Sequence, residues 1–222
     1  LSDTRTAVIL AAGDGSRLGL NLPKCLIDIN GKTVIERLYE ILDPYVDTIV
    51  LVLGYKAEEV KAKTTHLKKL VYVENPEYAT TETYYSLWLA RKYASDGFYL
   101  IDGDMVIEKE IFESIVKESH DDCAIIDYST KPDVGVICTD QRICAIGKEV
   151  KHPNAESLNV FKFGTSYARM IFRMTFFINE KEAYYEEGFD ISRMIIYPIK
   201  VCGKWVEIDN PSDLKRARRL FK

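Results

Sequence analysis

Three short stretches hold the groups that phosphate chemistry needs. The first reads Leu10-Ala11-Ala12-Gly13-Asp14-Gly15-Ser16-Arg17-Leu18-Gly19 and is followed by Pro23-Lys24. Closely spaced glycines let a backbone turn tightly and bring its N–H groups against a ligand. Arg17 offers a planar fork of donors and Lys24 a point charge, and both suit phosphate oxygens. The second stretch, Tyr99-Leu100-Ile101-Asp102-Gly103-Asp104-Met105, ends an apolar run in two carboxylates. Carboxylates there suit Mg²⁺, a hard cation that takes oxygen ligands and few of them from protein. The third is Trp205-Val206-Glu207-Ile208-Asp209-Asn210-Pro211. Alternation along a strand puts Glu207 and Asp209 on one face and Val206 and Ile208 on the other. Taken singly, each stretch also reads as ordinary structure: a glycine turn, a solvated Asp-Gly turn, an acid near a helix cap. Two familiar loops are excluded. A dinucleotide fingerprint needs glycine at position 18, where Leu18 stands, and the GxxxxGK[ST] pattern is not present.

The elements that must carry these groups follow from periodicity. Residues 6–11 form a continuous apolar run, a buried strand that ends at the glycine turn. Thr33 and Glu36 make a capping box for a helix with Val34, Ile35, Leu38, Ile41 and Leu42 inward, stopped by Pro44. Strands are expected at 48–53, 69–73 and 98–101, with helices at 56–66, 83–94 and 108–117. This alternation predicts parallel βαβ units, in which ligands lie beyond the carboxyl ends of the strands. After residue 120 the texture changes to short strands at 123–127, 134–138, 142–146 and 158–163, with a hairpin tip at Gln141-Arg142. Helix returns over 166–179 and a last strand over 205–208. Asn210 and Pro211 then cap a C-terminal helix. The fold class is α/β: a Rossmann-like, mixed but mostly parallel central sheet flanked by helices, with a small β-rich insertion, and residues 1–222 read as one domain.

Composition narrows the function. Thirty Lys+Arg against 34 Asp+Glu leave a net charge of −4, which gives no bulk attraction to a nucleic-acid backbone. The basic run Lys61, Lys63, Lys68 and Lys69 is interleaved with Glu58 and Glu59 and reads as a solvated face. No apolar run approaches the ~18 residues of a spanning helix, and the polar start is not a signal peptide. Five scattered cysteines with no CxxC, and three histidines with no HExxH, argue against a zinc site or a disulfide framework. A cytoplasmic protein with its cysteines buried as small apolar residues is expected, Cys25 on a strand.

The three motifs, in this order, resemble the nucleotidyltransferase superfamily that couples a nucleoside triphosphate to a phosphorylated sugar or alcohol. Its LAAGxGxRLx(n)PK signature is matched by Leu10 to Leu18 and by Pro23-Lys24. Glu74-Asn75-Pro76, Tyr78, Tyr85-Ser86-Leu87-Trp88, Ile146-Gly147-Lys148 and Phe161-Lys162-Phe163 are similar to stretches of the bacterial phosphocholine and inositol-1-phosphate cytidylyltransferases. That branch often has Asn-Asn or Gly-Asn at Glu82-Thr83 and Gly at Asn159. The resemblance implies Mg²⁺ held by Asp104 and Asp209, with Lys24, Arg17 and Asp104 catalytic. It implies a nucleotide, CTP favoured, on the backbone from Leu10 to Ser16 with Arg17, Lys24 and Asp102, and with Tyr55, Glu82 and Ser86 as neighbours. The acceptor would meet Thr83, Tyr84, Asp104, Lys148, Asn159 and Glu207. A phosphorylated small alcohol of the phosphocholine or inositol 1-phosphate class is the expected acceptor, and a second copy of the chain an expected partner. Choline would want aromatic faces, for which Tyr84, Tyr85, Trp88 and Tyr128 are candidates, although the spacing of Tyr85, Leu89 and Tyr93 also reads as a core stripe. Three other functions stay open: a sugar-1-phosphate nucleotidyltransferase, a glycosyltransferase using Asp102-Gly103-Asp104 as a DxD, and a non-catalytic nucleotide sensor.

Overall fold

The computed structural model describes residues 4–128, 132–189 and 195–222, the Phe176 side chain excepted. The first half is built as βαβ units. Strand β1 (Thr6–Ala11) leads through the glycine turn and a small hairpin, β2 (Asp28–Ile29) and β3 (Lys32–Thr33), into helix α1 (Val34–Leu42). Then come β4 (Thr48–Leu53), α2 (Ala57–Thr64), β5 (Leu70–Glu74), α3 (Thr83–Leu89), α4 (Arg91–Ala94), β6 (Phe98–Asp102), β7 (Met105–Ile107) and α5 (Lys109–Lys117). The second half holds β8 (Cys123–Asp127), β9 (Gly135–Cys138), β10 (Ile143–Gly147), β11 (Ala155–Phe163), α6 (Thr165–Ile171), β12 (Tyr197–Lys200), β13 (Trp205–Glu207) and α7 (Pro211–Leu220).

The central sheet runs β10-β9-β11-β6-β1-β4-β5, and β8 and β12 extend it from β11. Strand β1 is parallel to both β4 and β6, and β4 is parallel to β5. Four of the six residues of β1 are buried because helices cover both faces. Strand β11 is antiparallel to β6, β8 and β9, which makes the sheet mixed. One apolar cluster packs Ile9, Ile49 and Ile101 against α1 and against Phe112 of α5; the other packs Val8, Val50, Leu100 and Phe161 against α3 and α6.

The α/β class and the mixed, mostly parallel sheet agree with the sequence reading, and several elements correct it in detail. The expected 83–94 helix is divided at Ala90 into α3 and α4. The 166–179 helix ends at Ile171, with only a 3-10 turn following at Met174–Phe176. The core stripe of α3 and α4 is Tyr84, Leu87, Ala90 and Ala94, rather than Tyr85, Leu89 and Tyr93. Cys25 is buried, but in the 3-10 turn Lys24–Leu26 and not on a strand. Cys144 and Cys202 are exposed; all five cysteines are free. The strands β7 and β12 carry too few residues for periodicity to reveal them.

Candidate active site

The glycine turn is fixed by backbone conformation. Gly15 has φ +62° and Gly19 φ +63°, the left-handed region open to glycine. Between them Ser16–Leu18 makes a 3-10 turn anchored by buried Leu18, and the Ser16 N–H donates to Asp14 Oδ1 at 3.1 Å. The stem of Lys24 crosses over Gly15, where an added Cβ would lie 3.0 Å from Lys24 Cγ.

A second close approach sets the carboxylates beside this turn. The Gly103 N–H donates to the Leu10 carbonyl at 2.7 Å. A Cβ on Gly103 would lie 2.7 Å from Ala11 Cβ and 2.8 Å from that carbonyl, so only glycine lets the β6–β7 turn come this near to β1. The third stretch arrives through the β7–β13 ladder, which pairs Glu207 with Met105. The Ile208 N–H donates to the Asp104 carbonyl at 3.1 Å. Asn210 then caps α7, and Asp213 accepts from the Asp209 and Asn210 amides.

All three stretches meet at Lys24. Its Nζ donates to Asp104 Oδ2 at 2.8 Å and to Asp209 Oδ1 at 2.6 Å. Arg17 Nη2 is 3.2 Å from the same Asp209 oxygen, on a largely exposed side chain. Burial pulls the Lys24 ammonium down, but the charges and hydrogen bonds of Asp104 and Asp209 outweigh it and leave the group above its ordinary value. Lys24 is therefore a fixed cation.

The remaining acids are less well compensated. Burial first, and then the charges of Asp104, Glu207 and Glu186, hold the Asp102 carboxyl well above the usual range. Burial beside Asp104 and Asp209 pushes Glu207 up to about 8. Burial is the main cause that raises Glu186 to about 7. Carboxylate oxygens of Asp102, Asp104 and Glu207 lie within 4.8 Å of one another, as do those of Asp133, Glu207 and Asp209. Oδ1 of Asp102 and Oδ1 of Asp104 are shut off from solvent with no hydrogen-bond partner. An all-oxygen donor set with orphaned carboxylate oxygens fits a hard divalent cation.

The cavity has two lobes that share Leu10, Gly13, Arg17, Lys24, Glu82 and Asp104. One lobe, of about 330 Å³, follows the turn past Ala11, Asp14, Gly15 and Ser16. The other, also of about 330 Å³, is walled by Ala12, Thr83, Ser86, Asp102, Lys148, Asn159, Glu207 and Asp209. Ser86 is held there by Asn75, whose Nδ2 donates to its hydroxyl at 3.0 Å. Lys148 lies 4.1 Å over the Tyr184 ring.

Two expected residues are not brought to either lobe. Tyr84 is fully buried in the core, its hydroxyl donating to the Ile171 carbonyl. Tyr55 donates to Asn21 Oδ1 at 2.7 Å and lines neither lobe. Tyr85 and Trp88 stack on each other at 5.9 Å with Arg91 over Trp88, and neither lines the cavity. The aromatic faces that do line it are Tyr78, Tyr184 and Tyr185. Tyr78 stands in one of the cytidylyltransferase-like stretches but has no role at the site in the sequence reading; sequence reasoning missed Tyr184, Tyr185, Asp133 and Glu186. Tyr185 is placed by long-range contacts: its N–H donates to Thr83 Oγ1 at 3.0 Å and its hydroxyl to Asp102 Oδ2 at 3.2 Å. For Tyr184, Tyr185 and Glu186 the only signal was their adjacency, a run with no strand or helix period.

No helix among the described residues is long and apolar enough to cross a membrane. Comparison with known proteins agrees with this architecture. The inositol-1-phosphate CTP transferase of T. maritima superposes with a TM-score of 0.83 at 22% identity, over 98% of this chain and 94% of that one; the likeness is one of fold. The bifunctional protein GlmU of Methanocaldococcus jannaschii is 26% identical over 97% of this chain and 54% of its own length. The chain spans about half the length of the first such relatives it matches. The choline-phosphate cytidylyltransferase of Streptococcus pneumoniae is 27% identical over 97% of this chain and 98% of its own length. Residues 7–161 match the MobA-like NTP transferase domain, and the chain belongs to that nucleotidyltransferase family.

Proposed function

We propose that the chain acts as one catalytic unit over residues 1–222 and transfers a nucleotidyl group, CMP from CTP, onto a phosphorylated small alcohol, releasing pyrophosphate. The observation that carries this reading is the meeting of Lys24, Asp104 and Asp209 beside the glycine turn. The amides of the turn and Arg17 take the β- and γ-phosphates. Lys24 steadies the α-phosphate and the attacking phosphate as charge builds between them. Asp104 and Asp209 would hold Mg²⁺, which supplies charge neutralisation at the α-phosphate when bound. The attacking phosphate is anionic near neutral pH, so the reaction needs no general base, and catalysis is positioning plus charge stabilisation. No histidine lines either lobe. Two lobes of similar size joined at Lys24 and Asp104 suit two substrates meeting in line.

The cytidylyl reading is supported by the full-length match to the choline-phosphate cytidylyltransferase. Transfer onto a sugar 1-phosphate is the second reading, favoured by the matches to GlmU proteins. A glycosyltransferase would leave the glycine turn and Lys24 without a pyrophosphate to release. A nucleotide sensor has no need of the complete set of Lys24, Arg17, Asp104 and Asp209. A cytoplasmic location is supported by the five free thiols. The test is pyrophosphate release with Mg²⁺, crossing four triphosphates with phosphocholine, inositol 1-phosphate, glycerol and ribitol phosphates, and hexose 1-phosphates. Release with CTP and an alcohol phosphate is expected. Release only with UTP and a hexose 1-phosphate would replace this reading with the second.

A further inference from the structure

The turn after β4, Gly54-Tyr55-Lys56, grips the glycine turn at both ends. The Tyr55 N–H donates to the Ala12 carbonyl at 3.0 Å, at the start of the loop. Gly54 permits that approach, because a Cβ there would lie 2.6 Å from the same carbonyl. Asn21, near the end of the loop, is held by two side chains. Its carbonyl accepts from Lys56 Nζ at 2.6 Å, and its Oδ1 accepts from the Tyr55 hydroxyl. Between these two points lie the amides of residues 13–16 and the largely exposed Arg17. Pro23 and Lys24 follow closely.

Lys56 is costly where it stands. It is the N-cap of α2 with φ +49° and ψ +41°, in the left-handed region that a residue with a Cβ seldom adopts. Its side chain makes no cap bond to the helix, and a cation is disfavoured at a helix N-terminus. Glu59 Oε2, at 3.7 Å, offsets part of that charge. Glycine would take the same backbone without strain. What glycine lacks is a donor that reaches Asn21. A loop tied at both ends has less freedom to lose when a ligand orders it, and such preorganisation is gained as affinity.

We propose that Lys56 is a positioning residue. Through the Asn21 carbonyl its ammonium holds the far end of the glycine turn, so that the amides of the turn and Arg17 meet the triphosphate already in place. The clamp stands on geometry alone; its effect on the triphosphate rests on reading the site as a nucleotidyltransferase. Lys56→Gly and Lys56→Arg are compared with the parent. The Tm of Lys56→Gly should not fall below that of the parent, because glycine relieves the left-handed backbone. Trypsin should cut the unliganded Lys56→Gly chain after Arg17 several-fold faster, since cleavage there follows local opening of the loop. The KM for CTP should rise by about fivefold, the worth of one hydrogen bond, with kcat and the KM for the acceptor unchanged. Lys56→Arg, which keeps a donor, should recover most of that loss. Unchanged cleavage after Arg17, a KM for CTP that does not move, or a lowered Tm would each overturn the proposal. Faster cleavage in a protein that releases pyrophosphate from no triphosphate would leave the clamp standing and remove the nucleotidyltransferase reading.

Discussion

The two walls of the cavity hold their charged groups by different means. On the wall made by β1 and β6, the glycine turn and Lys24 are locked by neighbours, although Oδ1 of Asp102 and Oδ1 of Asp104 stay unpaired. The Gly103 amide grips Leu10, the Lys24 stem lies across Gly15, and the Lys24 ammonium joins two carboxylates. On the wall made by Asp133, Val134, Lys148, Asn159 and residues 184–186, burial replaces pairing for Glu186 and Asn159. Glu186 is 6% exposed and raised to about 7, and Asn159 keeps an orphaned oxygen. The locked wall suits a ligand of fixed charge and shape, such as a triphosphate. The unpaired wall has its polar capacity in reserve, and a second substrate can use it.

The comparison breaks first at its strongest point. Lys24→Ala and Asp104→Asn should each lower kcat by on the order of 10²- to 10³-fold, the loss typical of removing a group aimed at developing charge. Pyrophosphate release under saturating substrate measures this. A comparable kcat loss from Glu186→Gln would erase the distinction between the walls.

Stability against pH comes next. In the native chain Glu186 releases its proton near pH 7, against 4.5 for the ordinary group. Between these values the unfolded chain sheds the proton and the native one retains it, so the contribution of Glu186 to stability falls as pH rises through that window and is flat above it. The full span is on the order of 3 kcal/mol. Lys148 opposes the shift, and Glu187 and Asp133 add to it. Glu186→Gln, neutral throughout, should gain Tm over the parent from pH 5 to pH 7; parallel Tm profiles would contradict the assignment.

Two smaller effects probe the locked wall alone. Gly103→Ala forces a Cβ to 2.7 Å from Ala11 Cβ and should cost about 2 kcal/mol as overpacking, read as a lowered midpoint in urea. Asn210→Ala removes the α7 cap, whose Oδ1 accepts from the Ser212 and Asp213 amides. It should cost about 1 kcal/mol and, because Asp209 adjoins the cap, should also weaken Mg²⁺ binding.

The same division explains what could be read from the sequence. The locked wall depends on local rules: an apolar run ending in glycines, a strand ending in carboxylates, an Asn-Pro cap. Alternation placed Glu207 and Asp209 on one face, and both line the cavity. The motifs of the locked wall are local even though Lys24 reaches Asp104 and Asp209 across 80 and 185 residues, whereas the opposite wall has no local motif and is placed only by contacts between distant segments. Tyr185 takes its position from Thr83 and Asp102, 102 and 83 residues away, and no local pattern encodes such contacts. Tyr84 and Tyr85 are adjacent, yet the turn of the helix sends one to the core and the other to the surface stack. The left-handed backbone at Asn159 left no trace beyond the residue type itself.

The central claim is transfer of a nucleotidyl group from triphosphate to acceptor, and following the α-phosphorus tests it most directly. CTP labelled at the α-phosphate is incubated with Mg²⁺, the protein and a polyol phosphate, and the products are separated. The account predicts label in the CDP-alcohol, with one pyrophosphate per labelled product and none of either with Lys24→Ala. Label appearing only in free CMP, or an unchanged yield with Lys24→Ala, would contradict it.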